Sequence, residues 1–104
     1  LYWLGLFPRR YQTHDLMAVM TVKLVYFAWV REQIGKSDES LDLPQTVKTV
    51  SDLLSHLSGI DENYAHALRF SDVIRVAINQ EHVEHDTPIA GAHEIALFPP
   101  MTGG

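Results

Sequence analysis

From Thr21 to Phe27 (TVKLVYF) the chain puts Val22, Leu24 and Tyr26 on one side and Lys23, Val25 and Phe27 on the other. That period of two predicts a strand with its two faces already distinguished. The next stretch, Ala28 to Ile34, changes period: Val30 and Ile34 fall at i, i+4 and Gly35 is placed to end a short helix. Alternation returns from Ser40 to Leu43, with Leu41 and Leu43 inward, and Pro44 breaks it.

The clearest helix comes next. Val50, Leu53, Leu54 and Leu57 lie at i, i+3, i+4 and i+7 behind Thr49, a residue able to cap, and Gly59 closes the run. Tyr64 and Leu68 predict a further helical turn within Asn63 to Phe70. Ile74, Val76 and Ile78 then alternate with Arg75, Ala77 and Asn79 as a half-buried strand. A turn at Asn79-Gln80-Glu81 leads to a brief strand near Val83, and after Pro88 and Gly91 a last strand spans Glu94 to Phe98. Strands and helices in this order predict an α+β fold in which one main helix covers one face of a sheet.

Residues 1–19 follow neither period and carry Pro8, Arg9 and Arg10 in mid-segment, so they are expected to be a leader or extension outside the fold. Met20 stands directly before the first strand, and residues 20–104 are read as one domain, a size that suits a single core.

Charge and composition narrow the function. A net charge of −5 leaves no basic stripe for a nucleic acid and favours docking on a basic protein surface. The apolar run Leu1 to Phe7 is far shorter than the ~20 residues a bilayer demands, and its arginines follow it instead of preceding it. No membrane partner and a cytoplasmic location are expected. With no cysteine in the chain, disulfides, thiolate metal sites and a cysteine nucleophile are excluded.

Signatures of catalysis are missing: no G-x-S-x-G elbow, phosphate loop, H-E-x-x-H or dinucleotide glycine pattern occurs. His82, His85 and His93, beside Glu81, Glu84 and Asp86, lie around predicted turns without a helical i, i+4 pair, and a solvated acidic loop accounts for them without a metal. Arg31 and Glu32, adjacent on a helix, point apart and form no catalytic pair. Phe27 and Trp29 suit a core or an interface equally.

The end of the chain is exceptional. Two terminal glycines arise by chance in roughly 0.5% of sequences, and here they follow Phe98, Pro99 and Pro100 directly after a strand. Both prolines fix φ and resist helix, so Pro99 to Gly104 is expected to run extended, with a reach of ~20 Å. Without Cβ atoms, Gly103 and Gly104 can thread a narrow channel and bring the terminal carboxylate to a reactive centre. A carboxylate activated as an acyl-adenylate and attacked by a sulfur donor becomes a thiocarboxylate, a nucleophilic sulfide that needs no cysteine on the carrier.

Three stretches carry a family resemblance across residues 20–104: Phe27-Ala28 with Arg31-Glu32 and Gly35, Ala77-Ile78-Asn79, and Phe98-Pro99-Pro100-Met101-Thr102-Gly103-Gly104. The chain resembles the small, sulfur-carrying subunits of molybdopterin synthases, which implies a ubiquitin-like β-grasp. The resemblance implies that Gly104 carries the sulfur, that Gly103 serves threading, and that Phe98, Pro99, Pro100, Met101 and Thr102 form a guided, partner-binding tail. It further implies three partners: a ubiquitin-activating-type adenylating enzyme that uses ATP, a sulfurtransferase as sulfur source, and a large synthase subunit that holds the catalytic residues. No cofactor or metal would be bound permanently, and the acceptor would be cyclic pyranopterin monophosphate, converted to the molybdopterin dithiolene. Met101 stands where smaller β-branched residues are common in that family, and residues 1–19 have no counterpart. Two alternatives share the terminal glycines: a thiamin-pathway sulfur carrier, which is shorter and lacks the Phe-Pro-Pro approach, and a ubiquitin-related protein modifier.

Overall fold

The computed structural model describes residues 20–100, so the expected leader 1–19 and the tail residues Met101 to Gly104 lie outside the described residues. The first strand, β1 (Met20–Tyr26), buries Val22, Leu24 and Tyr26 and leaves Thr21 and Lys23 exposed, as its alternation requires. Helix α1 (Ala28–Ile34) buries Val30 and Ile34. It ends at Gly35, whose φ of 93° is the left-handed cap conformation and whose N–H donates to the Arg31 carbonyl at 2.8 Å.

Strand β2 (Asp38–Leu43) begins two residues before the alternation of leucines suggested. Its added inward position is a carboxylate, Glu39, which hydrophobic periodicity does not register. Helix α2 (Val50–Ser58) buries Val50, Leu53, Leu54 and Leu57. Its N-terminus is closed by a capping box: Asp52 N–H donates to Thr49 Oγ1, and Thr49 N–H donates to Asp52 Oδ2. The two N–H groups that this box leaves over, those of Val50 and Ser51, donate to the carbonyls of Thr87 and His85. Loop 84–90 is thereby fastened over the start of the helix. Gly59 ends α2 in a right-handed conformation (φ −88°), so that position does not exploit the freedom of glycine.

Helix α3 (Glu62–Ala67) starts at Asp61, whose carboxylate accepts from Asn63 and Tyr64 N–H, and it buries Tyr64 and Ala67. A 3₁₀ turn, Ser71–Val73, leads into β3 (Arg75–Ile78) and β4 (Glu81–Val83). Asn79 and Gln80 join these strands with φ of 49° and 75°, the positive pair that a type I′ hairpin turn needs. The last strand is β5 (Glu94–Phe98).

The sheet order is β2-β1-β5-β3-β4. The first and last strands run parallel at its centre, with Tyr26 opposite Leu97, and every other pairing is antiparallel. This is the expected α+β architecture, a β-grasp with a mixed sheet. The covering layer is broader than one main helix, however. Val30 and Ile34 of α1 and Tyr64 and Ala67 of α3, with Leu68 just beyond it, share the core with α2, because its one valine and three leucines cannot span five strands.

Candidate functional site

The side of the sheet away from the helices holds the candidate site. Val22, Leu24, Tyr26, Val76, Ile95 and Leu97 point into the core, so pleating sends their neighbours Val25, Phe27, Ala77, Ala96 and Phe98 to the opposite face. Ala77 and Ala96, paired across β3 and β5, are only 4% and 6% exposed yet stand outside the helix-covered core. With only methyl side chains at these two positions, the middle of that face is an apolar floor.

Phe98 dominates that floor. Its ring stacks on Phe27 with centroids 4.6 Å apart and planes within 2°, and His82 lies against its other side at 5.6 Å, tilted by 38°. The pairing of β1 with β5 brings the two phenylalanines together, since Phe27 continues the ladder one step beyond Tyr26 and its N–H donates to the Leu97 carbonyl at 3.1 Å. His82 reaches Phe98 across β3 because its own partner there is Ala77. A larger residue at 77 would stand between the rings.

Phe27 turns directly into α1 through Ala28, which takes a φ of 51° that a side-chain-bearing residue rarely adopts. At 39% exposure, Phe27 is a large apolar ring left facing outward beside the root of the tail. Phe98, Pro99 and Pro100 are half-buried, and β5 ends at Phe98. The remaining expected site residues, Met101, Thr102, Gly103 and Gly104, lie outside the described residues.

Asn79 braces the base of β5 from the other end. Its side-chain oxygen accepts from the N–H groups of His93 and Glu94 at 2.9 and 3.0 Å, while its own N–H donates to the Glu94 carbonyl at 2.8 Å. One asparagine therefore serves the hairpin turn and fixes the strand that leads to the tail.

Opposite the open face, Glu39 gathers a polar knot at the edge of the core. One of its oxygens accepts from both Tyr26 and Tyr64 hydroxyls at 2.6 Å, and the other faces the Lys36 ammonium at 3.2 Å. Partial burial would raise the carboxyl's pKa, but the hydrogen bonds from Tyr26, Tyr64 and Lys36 outweigh it and hold the group below the ordinary glutamate value. Burial, reinforced by that carboxylate, pushes the Tyr26 hydroxyl far above its usual range. The knot ties β1, β2 and α3 together and leads to no cleft.

The three neighbouring histidines are dispersed. His85 Nε2 lies 2.7 Å from the Ile74 carbonyl, His82 sits on Phe98, and His93 contributes its backbone to Asn79. Among the described residues no group of three or more His, Cys, Asp or Glu side chains is arranged to hold a metal ion. Nor is any of their helices long and apolar enough to cross a membrane.

Sequence reasoning left Phe27 open between core and interface, and weighed His82 only as a metal ligand. The parity of β1 does place Phe27 opposite Val22, Leu24 and Tyr26. Nothing in the sequence places His82 beside Phe98, because that contact depends on the order of the strands.

Residues 24–104 match the ThiS family. The molybdopterin synthase sulfur carrier subunit of Escherichia coli (strain K12) is 34% identical over 83 residues, covering 80% of this chain and 99% of that protein. The protein of the same name from Dictyostelium discoideum is 36% identical over 84 residues, covering 79% and 94%. Among solved structures, SAMP1 from Haloferax volcanii, a small archaeal modifier protein, superposes with a TM-score of 0.61 at 29% identity, over 82% of this chain and 100% of its own.

Proposed function

The chain belongs to the ThiS family, and from that premise we propose that it is a sulfur carrier of molybdopterin synthesis that works through the carboxylate of Gly104. The observation that carries this reading is the root of the tail. Phe98 is held by ring stacking on a face that none of the described helices covers, and Pro99 and Pro100 follow immediately, ahead of Gly103 and Gly104.

In the adenylating partner, a carboxylate oxygen of Gly104 attacks the α-phosphorus of ATP and pyrophosphate departs. A sulfur nucleophile delivered by a sulfurtransferase then attacks the acyl carbon and AMP leaves. With a protein persulfide as that nucleophile the product is an acyl disulfide; a thiolate then attacks the donor's sulfur of the S–S bond and forms a disulfide with it, and the outgoing sulfur stays on the carrier as a thiocarboxylate. The charged carrier docks its open sheet face on the large synthase subunit, and the tail presents the sulfur to the pyranopterin acceptor. This chain contributes the deliverable sulfur and the docking surface, while the catalytic residues belong to its partners. The apolar patch of Phe27, Phe98, Val25, Ala77 and Ala96 supplies the buried centre such an interface needs. The excess of acidic residues favours partners with a basic rim.

Incubation with the adenylating enzyme, ATP and a sulfur donor tests the proposal by intact mass: one oxygen of the chain should be replaced by sulfur, and the product should convert the pyranopterin to dithiolene when the large subunit is added. An unchanged mass would refute it. The likeness to SAMP1 supports a second reading, in which Gly104 is joined to lysines of other proteins. Adducts on cellular lysines, with no sulfur exchange at the terminus, would decide for that modifier role.

A further inference from the structure

At the pole opposite the tail, the core borders a groove. β1 and β5 run parallel, and the register of Lys23 with Glu94 and of Tyr26 with Leu97 puts Met20 at the far end of the sheet from Phe98. There a groove of about 530 Å³ opens between the start of β1, the loop from β2 to α2 and the loop before β5. Leu43 and Ile89, each 1% exposed, are core residues at its base, and half-buried Met20, Pro44 and Val47 line its walls. We propose that this groove is the docking site of the chain's own N-terminal apolar run, Leu1 to Phe7, which lies outside the described residues.

The groove is formed before anything enters it. Val47 N–H donates to the Pro44 carbonyl at 3.0 Å, Ile89 N–H donates to the Lys48 carbonyl at 3.0 Å, and Thr49 forms a bridge with Pro88, so the two loops that wall the groove are fastened to each other. Its volume falls within the ~300–1,000 Å³ of ligand clefts, and a preformed apolar groove takes an apolar occupant with little rearrangement. The chain offers one at short range. Met20 is both a wall of the groove and the residue to which residues 1–19 are joined. Extended, residues 8–19 reach up to ~40 Å, ample to return to a groove that begins at their own end, and a tether of that length holds its cargo at an effective concentration on the order of mM. The run Leu1-Tyr2-Trp3-Leu4-Gly5-Leu6-Phe7 has a leucine or an aromatic ring at every position but Gly5, surface that gains by leaving water. Charge agrees with this placement. Arg9 and Arg10 follow the run, and the exposed Asp42 and Asp86 stand just before Leu43 and Pro88. Lys48 lines the groove as well, so the arginines belong at the rim and not inside. Because the tail leaves from the opposite pole, an occupied groove leaves sulfur loading unobstructed.

Trp3 reports on the run once Trp29→Phe has removed the other tryptophan. In that purified full chain, Trp3 should emit at a shorter wavelength than in the urea-unfolded chain and resist quenching by acrylamide, at every protein concentration. Ala90→Arg, a change at an exposed position lining the groove, should return Trp3 to the emission of the unfolded chain. In the full chain that keeps Trp29, Ala90→Arg and the paired change Leu4→Ser with Leu6→Ser should each lower the melting temperature by about 4–8 °C, and together by no more than either alone. That non-additivity separates loss of one shared contact from damage to the fold. Sulfur loading of every variant should match wild type at temperatures where it is folded. Emission of Trp3 like that of the unfolded chain, with the groove unsubstituted, would overturn the proposal. So would a shielded Trp3 that ignores Ala90→Arg, melting losses that simply add, or shielding that vanishes on dilution, the last meaning that copies exchange the run.

Discussion

The two faces of the sheet are built from the same strands and do opposite work. Toward the helices, β1, β3 and β5 present Val22, Leu24, Tyr26, Val76, Ile95 and Leu97, every one of them at most 1% exposed. Away from the helices, the same strands present Val25, Phe27, Ala77, Ala96 and Phe98, with Phe27 left 39% exposed. The inner face spends its apolar area on folding. The outer face leaves the Phe27 ring exposed and Phe98 half-buried against it, apolar surface that folding has not fully used and that remains free to bind. Changes on the inner face should therefore be read in stability, and changes on the outer face or the tail in function.

The largest effect should come from the tail. Deleting Gly104 withdraws the carboxylate by up to ~3.5 Å, and a misplacement of about 1 Å can already cost on the order of 100-fold in rate. Dithiolene synthesis with purified partners should fall below detection while the melting temperature holds. Normal synthesis by the deletion variant would break the functional side of the comparison.

The inner face should answer in the other currency. Leu53 is fully buried on the apolar stripe of α2, so Leu53→Ala should cost about 2–5 kcal/mol in denaturant unfolding, with sulfur loading preserved at temperatures where the variant is folded. A loss under about 0.5 kcal/mol would show that the two faces are not divided as described.

Glu39 sharpens the boundary, because it is a polar group on the inner side. Glu39→Gln removes the charge that strengthens both tyrosine hydrogen bonds and turns a donor amide toward Lys36, and should cost about 1–2 kcal/mol at pH 7. Its folded pKa is depressed, so its contribution is present above the unfolded glutamate value and is lost as pH falls through the folded one. Wild type should therefore lose stability below about pH 4.5 more steeply than Glu39→Gln does. Parallel acid limbs in urea melts at stepped pH would remove the knot from the stability account.

The smallest effect belongs to the β3–β4 turn. Gln80 holds a φ of 75° with a side chain, so Gln80→Gly should stabilise the fold by about 0.5–1 kcal/mol without altering sulfur transfer. A destabilised variant would mean that the side chain of Gln80 repays its strain through a contact.

Much of this architecture was legible in the chain because its signals are local. The alternation in TVKLVYF located β1 and its inner face, and the spacing of Val50, Leu53, Leu54 and Leu57 behind Thr49 located α2 with its cap. The start of β2 was misplaced by two residues because Glu39 faces inward as a carboxylate, and only its two tyrosine partners, 13 and 25 positions away, make that position tenable. The share of the core taken by α3 was equally hidden, since a six-residue helix carries too few apolar positions to show a stripe.

For the site, the division is the same. Sequence alone determined that Phe98-Pro99-Pro100 leads through Met101 and Thr102 to Gly103 and Gly104, that the sequence holds no cysteine, and that Phe27 lies on the face opposite the core residues of β1; each depends on neighbours in the chain, pleat parity or composition. Only the tertiary structure decided that Phe27, Phe98 and His82 form one row beside the tail. That row requires β5 to insert parallel to β1 and β3 to carry an alanine between Phe98 and His82. Strand order is settled by burying the whole core at once, a cooperative choice among distant segments that no local pattern encodes.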